Sequence, residues 1–273
     1  MKKIGILFLG LISAFSFSQN TRFVYQVSMK TDSTAAPKIE NAYLDISTEK
    51  SIFYGEKRMK RDSTIRQAME TRNFNFDRNS MEQFRTAITY SIEKNHATKT
   101  ISYKDRIARD QYWYDEDRTF TWKILPETVK IGEYETQKAE TTFAGRKWFV
   151  WFTQDLPFID GPYKFSGLPG LIVKVEDEKG DYSFDLKETK KIAELPNFES
   201  RFGNNIKVKR SEFLKQQEKF NKDPMSFFQN QGGGFAMRMG GNQNPQNEAE
   251  RRKMMEERLK EEAKANNNPL EKN

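Results

Sequence analysis

Apolar and polar residues alternate along much of this 273-residue chain. Phe23, Tyr25, Val27 and Met29 alternate with Arg22, Val24, Gln26 and Ser28. The same period of two runs through Ala42, Leu44 and Ile46, through Ile88, Tyr90 and Ile92, and through Phe120, Trp122 and Ile124. Leu171, Val173 and Val175 repeat it, as do Tyr182, Phe184 and Leu186, on either side of Asp177-Glu178-Lys179-Gly180-Asp181. Residues two apart on a strand share a face, so each run predicts a strand with one side on a core and one toward water. The polar segment between the last two predicts a hairpin loop. Many short strands joined by polar turns predict a mainly β fold with C-terminal helices (α+β). The expected architecture is an antiparallel meander, built as a curved sheet or a partly open barrel.

Helical spacing comes late. Phe213, Leu214, Gln217 and Phe220 share one helical face behind Ser211, a favoured capping residue, and Asp223-Pro224 ends that helix. Residues 229–247 are dense in Gly, Asn and Gln. Such a composition buries too little apolar surface to offset the entropy of ordering, so it reads as a flexible linker. A charged helix over about residues 248–265 follows, with Glu256 and Lys260 at the favourable i,i+4 spacing. The expected organisation is a signal peptide over 1–18, one β-rich domain over 19–222, a linker over 223–247, and a charged helix and tail over 248–273.

The signal peptide is read from Lys2 and Lys3, the apolar run from Ile4 to Phe17, and the small residues Ser16 and Ser18 before Gln19. It predicts export, to the periplasm or outside the cell. The apolar run is short for a membrane span, which needs about 20 residues. With no cysteine in the chain, neither lipid acylation at a lipobox nor disulfides are available, so a lipoprotein is not expected. The net charge of +7 is spread over a chain in which 31% of residues are charged, and reads as an ordinary solvated surface. The densest basic cluster is Lys57, Arg58, Lys60 and Arg61. Behind a signal peptide it does not indicate nucleic acid.

Catalytic chemistry finds little footing. His96 is the single histidine, and it lies in a polar turn. Every Ser-His, Cys-His or multi-His zinc scheme would have to pass through it. Asp155 and Asp160 are five apart in a loop, Ser166 has no nameable base, and Asp115-Glu116-Asp117 lacks the glycine and spacing of a calcium loop. The triplet reads as a solvated turn. The reading assigns no catalytic residue, no metal ligand and no cofactor.

The most constrained stretch is Gly161-Pro162-Tyr163-Lys164-Phe165-Ser166-Gly167-Leu168-Pro169-Gly170-Leu171-Ile172. Pro169-Gly170 suits the centre of a type II turn, because proline presets φ and glycine accepts a positive φ. Gly161, Pro162, Gly167, Pro169 and Gly170 are therefore expected as structural turn residues. Before it, Trp148, Val150 and Phe152 share one side of a strand, and Phe149 and Trp151 the other. Two outcomes are open. The segment either fixes a turn and its packing, or holds Tyr163, Phe165 and Leu168 out as a rigid docking knob beside a groove lined by Trp148 and Trp151. These five are the candidate contacts for a partner or ligand.

Gly167–Ile172 spells the motif of a known family. With Ile131-Gly132-Glu133-Tyr134, Gln137-Lys138-Ala139, Gly145-Arg146 and Trp151-Phe152-Thr153, the chain resembles the GLPGLI family over about residues 130–175. These are exported proteins of Bacteroidetes-type bacteria, defined by their motif rather than by an activity. Members are often encoded near TonB-dependent outer-membrane receptors. The resemblance thus implies a non-enzymatic accessory protein, with such a receptor or another envelope protein as partner. Two alternatives stand beside it. One is a periplasmic carrier of an apolar ligand, since the expected sheet resembles that of lipoprotein carriers. The other is a hydrolase.

Overall fold

The computed structural model describes residues 20–73, 83–198, 203–230 and 245–272. The expected signal peptide and residues 231–244 of the expected linker lie outside them. Strands β1 (Asn20–Met29), β2 (Lys38–Ile46), β3 (Lys50–Gly55), β4 (Ser91–Asn95), β5 (Ile101–Ile107) and β6 (Asp110–Asp115) form one antiparallel meander. Strands β7 (Lys123–Ile131), β8 (Tyr134–Phe143), β9 (Arg146–Thr153), β10 (Leu171–Asp177) and β11 (Tyr182–Ile192) form a second. Pairing of β1 with β11 fuses the two, and the short β12 (Asn205–Lys207) adds to β6 in parallel. The result is one 12-stranded mixed sheet, β12-β6-β5-β4-β3-β2-β1-β11-β10-β9-β8-β7, left open with β12 and β7 at its edges.

The alternation along the strands places the core as expected. Phe23, Tyr25, Val27 and Met29 of β1 join Ala42, Leu44 and Ile46 of β2 on one face. On β10 the period breaks. The register slips between Ile172 and Lys174, and both Leu171 and Ile172 enter the core. The sheet must also bend sharply. Lys164 bonds Tyr114 of β6, while its neighbour Phe165 packs against Trp148 of β9, 5.0 Å between ring centres. Eight strand steps separate β6 from β9, about 38 Å in a flat sheet at the usual strand spacing. Two adjacent residues can touch both only if the sheet wraps around them.

Several expectations change. Phe120 and Trp122 are not in a strand. They precede β7, which begins at Lys123, and their stacked rings pack from a loop against the core. The run at Ile88–Ile92 becomes strand only from Ser91, with Ile88 buried ahead of it. An early helix, α1 (Glu56–Thr71), holds the basic cluster. Most of its residues are strong helix formers, and Glu56–Lys60 at 2.8 Å ties its first turn, but no apolar stripe announced it. It covers the sheet face opposite the core, where Met59 meets the Tyr54 hydroxyl. Late in the chain, α2 (Arg210–Lys222) buries Phe213 against Tyr103 and Tyr114. Its N-cap is Lys209, without a side-chain cap bond, rather than Ser211. α3 (Pro224–Asn230) occupies the start of the expected linker, and α4 (Pro245–Lys264) begins before its expected end.

The turn at Pro169 also differs. Gly170 N–H donates to Leu168 O at 2.8 Å, so Pro169 is the centre of a three-residue γ-turn rather than part of a type II turn. Gly170 has φ +142°, and a Cβ there would lie 2.0 Å from Thr153 O. Gly170→Ala is therefore expected to lose several kcal/mol of stability, or to prevent folding, through backbone overlap and strain. Urea unfolding of purified protein tests this; a loss below about 1 kcal/mol, the size of an ordinary substitution, would show that the turn relaxes.

Candidate functional site

The segment between β9 and β10 turns its side chains inward. Tyr163, Phe165 and Leu168 are buried, as is Trp148. Phe165 sits at the centre of a ring cluster with Trp148, Phe120 and Phe184. The docking knob required these groups to face water, and the structure places them in the core. Trp151 alone among the five candidates stays half-exposed. It shares the outer face of β8–β10 with Phe149. Lys138 and Lys174 lie over the Trp151 ring at 5.5 and 5.0 Å, and Lys138 and Lys147 over Phe149 at 4.7 and 5.1 Å.

Charge follows the segment inside. Lys164 has no exposed side-chain surface. Its ammonium reaches Glu116 and Glu271 at 2.6 Å each and Tyr114 Oη at 3.1 Å, and it lies over the rings of Tyr103, Tyr114 and Tyr163. Arg118 joins the same two carboxylates, each at 2.7 Å. Burial pushes the Glu116 carboxyl up, but Arg118 and Lys164 outweigh it and hold the group at about 2. The expected solvated triplet thus has its middle residue in an ion network. Tyr163 reaches this arrangement with φ +54°, a left-handed backbone that is uncommon for a bulky residue, and its hydroxyl donates to Glu271 at 2.6 Å.

A second internal pair anchors the start of the segment. Lys94 on β4 donates to Asp160 Oδ1, to Gly161 O at 2.6 Å and to Phe165 O at 3.1 Å. Asp160 Oδ2 has no hydrogen-bond partner and faces His96 Nε2 at 3.8 Å. Burial raises the Asp160 carboxyl, and Lys94 and His96 together bring it below the usual range. Asp160 in turn raises His96 against the opposing effect of burial. The structure therefore brings His96 and Asp160 together, with Lys94 between Asp160 and the segment backbone. A third pair, Arg146 with Asp177 at 2.7 Å, is buried at the far end of β9.

On the opposite face lies a cavity of ≈ 280 Å³. Lys50, Glu93, Lys104, Gln111 and Trp113 line it from the sheet, and residues 195–198 from the side. Glu93 bridges Lys50 at 3.2 Å and Lys104 at 3.3 Å. Lys207 lies over the Trp113 ring at 4.5 Å. Among the described residues, no three His, Cys, Asp or Glu side chains are placed to hold a metal ion.

Sequence reasoning did not find Lys164, Lys94, Arg146, Glu116 or Glu271. Lys164 and Arg146 sit inside or beside aromatic runs, where a charged residue is out of place unless it is paired. That was the available signal.

Two outcomes follow. Phe165→Ala is expected to destabilise by about 3–5 kcal/mol, as for other buried Phe truncations, and denaturant midpoints with an unchanged slope test it. Glu116 titrates lower in the fold than its unfolded value near 4.3, so its contribution is complete above that value and is lost as pH falls toward 2. Glu116→Gln is expected to be less stable than wild type at pH 7 by about 3 kcal/mol, with the gap closing toward pH 2. A gap independent of pH would remove the carboxylate from the stabilising network.

Residues 144–174 match the model of a family described as a protein of unknown function, Porph_ging. The match overlaps the GLPGLI-type motif, under a description that does not carry that name. No curated protein matches the chain. Among solved structures, two crystal forms of PNGF-II are similar in fold. They share 19% and 18% identity with TM-scores of 0.51 and 0.52, and cover 72% of this chain. The chain spans about a third of the PNGF-II length, 33% and 32% in the two forms. A LolA superfamily protein from Nitrosomonas europaea aligns at 11% identity and a TM-score of 0.27, over 66% of this chain and 88% of its own.

Proposed function

We propose that this protein is an exported, non-enzymatic accessory protein of the cell envelope, binding an outer-membrane receptor or another envelope protein. The observation that carries this reading is the division of the aromatic side chains. The aromatic rings of the signature are buried and its titratable groups are paired with Glu116, Glu271 and Lys94 inside the sheet, whereas Phe149 and Trp151 remain half-exposed on its outer face under three lysines. A half-exposed Trp beside a second aromatic ring is the kind of anchor found at the energetic centre of protein interfaces, and the lysine stems cover it until a partner does. The adjoining edge strand is a poorer docking point. β7 carries Pro126, Lys123 and Lys130 and a register irregularity between Ile124 and Thr128, the usual devices against edge pairing. Export rests on the N-terminal pattern and the motif. Among the described residues no helix is long and apolar enough to cross a membrane.

A ligand-binding role is the second reading, favoured by the cavity under β3–β6. Its lysines, Glu93 and Gln111 suit a small polar ligand against Trp113 rather than the apolar one expected from sequence. The space facing the core is taken by Phe165 and Leu168.

Trp151→Ser is expected to abolish capture of an envelope protein by crosslinking in cells of the native host, with an unchanged melting temperature to within a few degrees. Glu93→Gln should leave that capture intact. Equal capture by wild type and Trp151→Ser would overturn the docking face.

A further inference from the structure

The C-terminal segment after α4 does not trail away. Asn268 N–H donates to Thr31 O at 2.9 Å, and Lys272 N–H to Ala144 O at 2.8 Å. Arg146 donates to Asn268 Oδ1, Pro269 O and Leu270 O at 2.7, 2.8 and 3.1 Å. Glu271 is taken up by Lys164, Arg118 and the Tyr163 hydroxyl at 2.6–2.7 Å. Gly145 makes room for it, since a Cβ there would stand 2.8 Å from Lys272. Main-chain hydrogen bonds plus one captured carboxylate are how a groove holds an extended peptide.

Each cation that the segment satisfies also has a partner in the body of the protein. Lys164 keeps Glu116 at 2.6 Å, Arg118 keeps Glu116 at 2.7 Å, and Arg146 keeps Asp177 at 2.7 Å and Asp181 at 3.4 Å. Departure of the segment would leave no cation without a carboxylate, the event that makes breaking a buried pair so costly. Around Glu271, the positive Lys164 and Arg118 face the negative Glu116, a surplus of one positive charge. That surplus matches one incoming carboxylate. Leu270 is the one large apolar side chain that the segment contributes to the main core.

We propose that this groove is a peptide-recognition site and that residues 268–272 are its resident, exchangeable ligand. The Asn-Pro-Leu-Glu sequence supplied on another molecule, a second copy of this chain included, competes for it. The site lies apart from the Trp151 face and does not depend on the function proposed for it.

The test uses the full chain and a fluorescent synthetic peptide of residues 264–273. The resident segment competes at an effective concentration of order millimolar, as for a short tether. Leu270→Ala/Glu271→Ala, which weakens it, should bind the peptide at least tenfold more tightly than wild type. A peptide carrying Glu271→Ala should bind at least tenfold more weakly. A folded double variant with no gain in binding overturns the proposal. Hydrogen exchange of the wild type covers the case where the variant does not fold. The Asn268 and Lys272 amides should exchange at least tenfold faster than those of β9 and β10, by local opening. Equal protection, meaning release only on global unfolding, overturns exchangeability.

Discussion

The fold depends on keeping an ammonium ion charged in a place that water does not reach. Moving an isolated ion out of water costs several kcal/mol even after relaxation, and Lys164 escapes this through two carboxylates, a tyrosine hydroxyl and three aromatic faces. Those partners come from β5, β6, the loop after β6 and the C-terminal segment, with Tyr163 of the signature itself supplying the third ring. Because Phe165 follows directly and is seated on β9, satisfying Lys164 also sets how far the two ends of the sheet must curl toward each other.

The backbone of the signature carries the consequences. Tyr163 adopts a left-handed conformation so that consecutive side chains can serve different walls: Tyr163 toward Glu271, Lys164 toward Glu116, Phe165 toward Trp148. Lys94 fixes the entrance by holding Asp160 and the carbonyls of Gly161 and Phe165. Gly170 closes the exit where the chain passes over Thr153. A segment with Lys and Asp among its aromatics is thus a core element, with its polar groups paired rather than presented.

Strand periodicity was legible because it reflects burial of one face, and β1, β2 and β11 follow it directly. It failed where burial came from elsewhere. Phe120 and Trp122 alternate like a strand, yet they are held by Phe143 and Phe165 from a loop, with the Trp122 indole donating to Ser166 O. α1 lacked an apolar stripe because it rests on the sheet largely through Arg58, Met59 and Ala68. The signature was recognisable as constrained, but its direction was not. A rigid aromatic turn looks the same in sequence whether it points out or in. What decides is Glu116 and Glu271, far away in the chain, and their pairing with Lys164 leaves no periodic trace.

Packing the signature inside has a further effect on where recognition can occur. The face that would have formed a concave binding surface is filled by the chain's own residues, which leaves the outer face and the groove holding the C-terminal segment as the proposed contact surfaces. On the outer face, Lys138, Lys147 and Lys174 lie over Phe149 and Trp151. Long amphipathic side chains of this kind shield apolar rings from water with their stems while keeping their charges solvated. They also move aside at little cost, because exposed cation–π contacts are worth only about 0.5–1 kcal/mol. The arrangement keeps an aromatic strip covered without committing it, whereas Trp148 and Phe152 on the inner face are fixed by core packing. The distinction between the two faces of β9 is therefore energetic: one side is locked by apolar packing with a buried ion pair at its end, and the other is only covered by charged side chains.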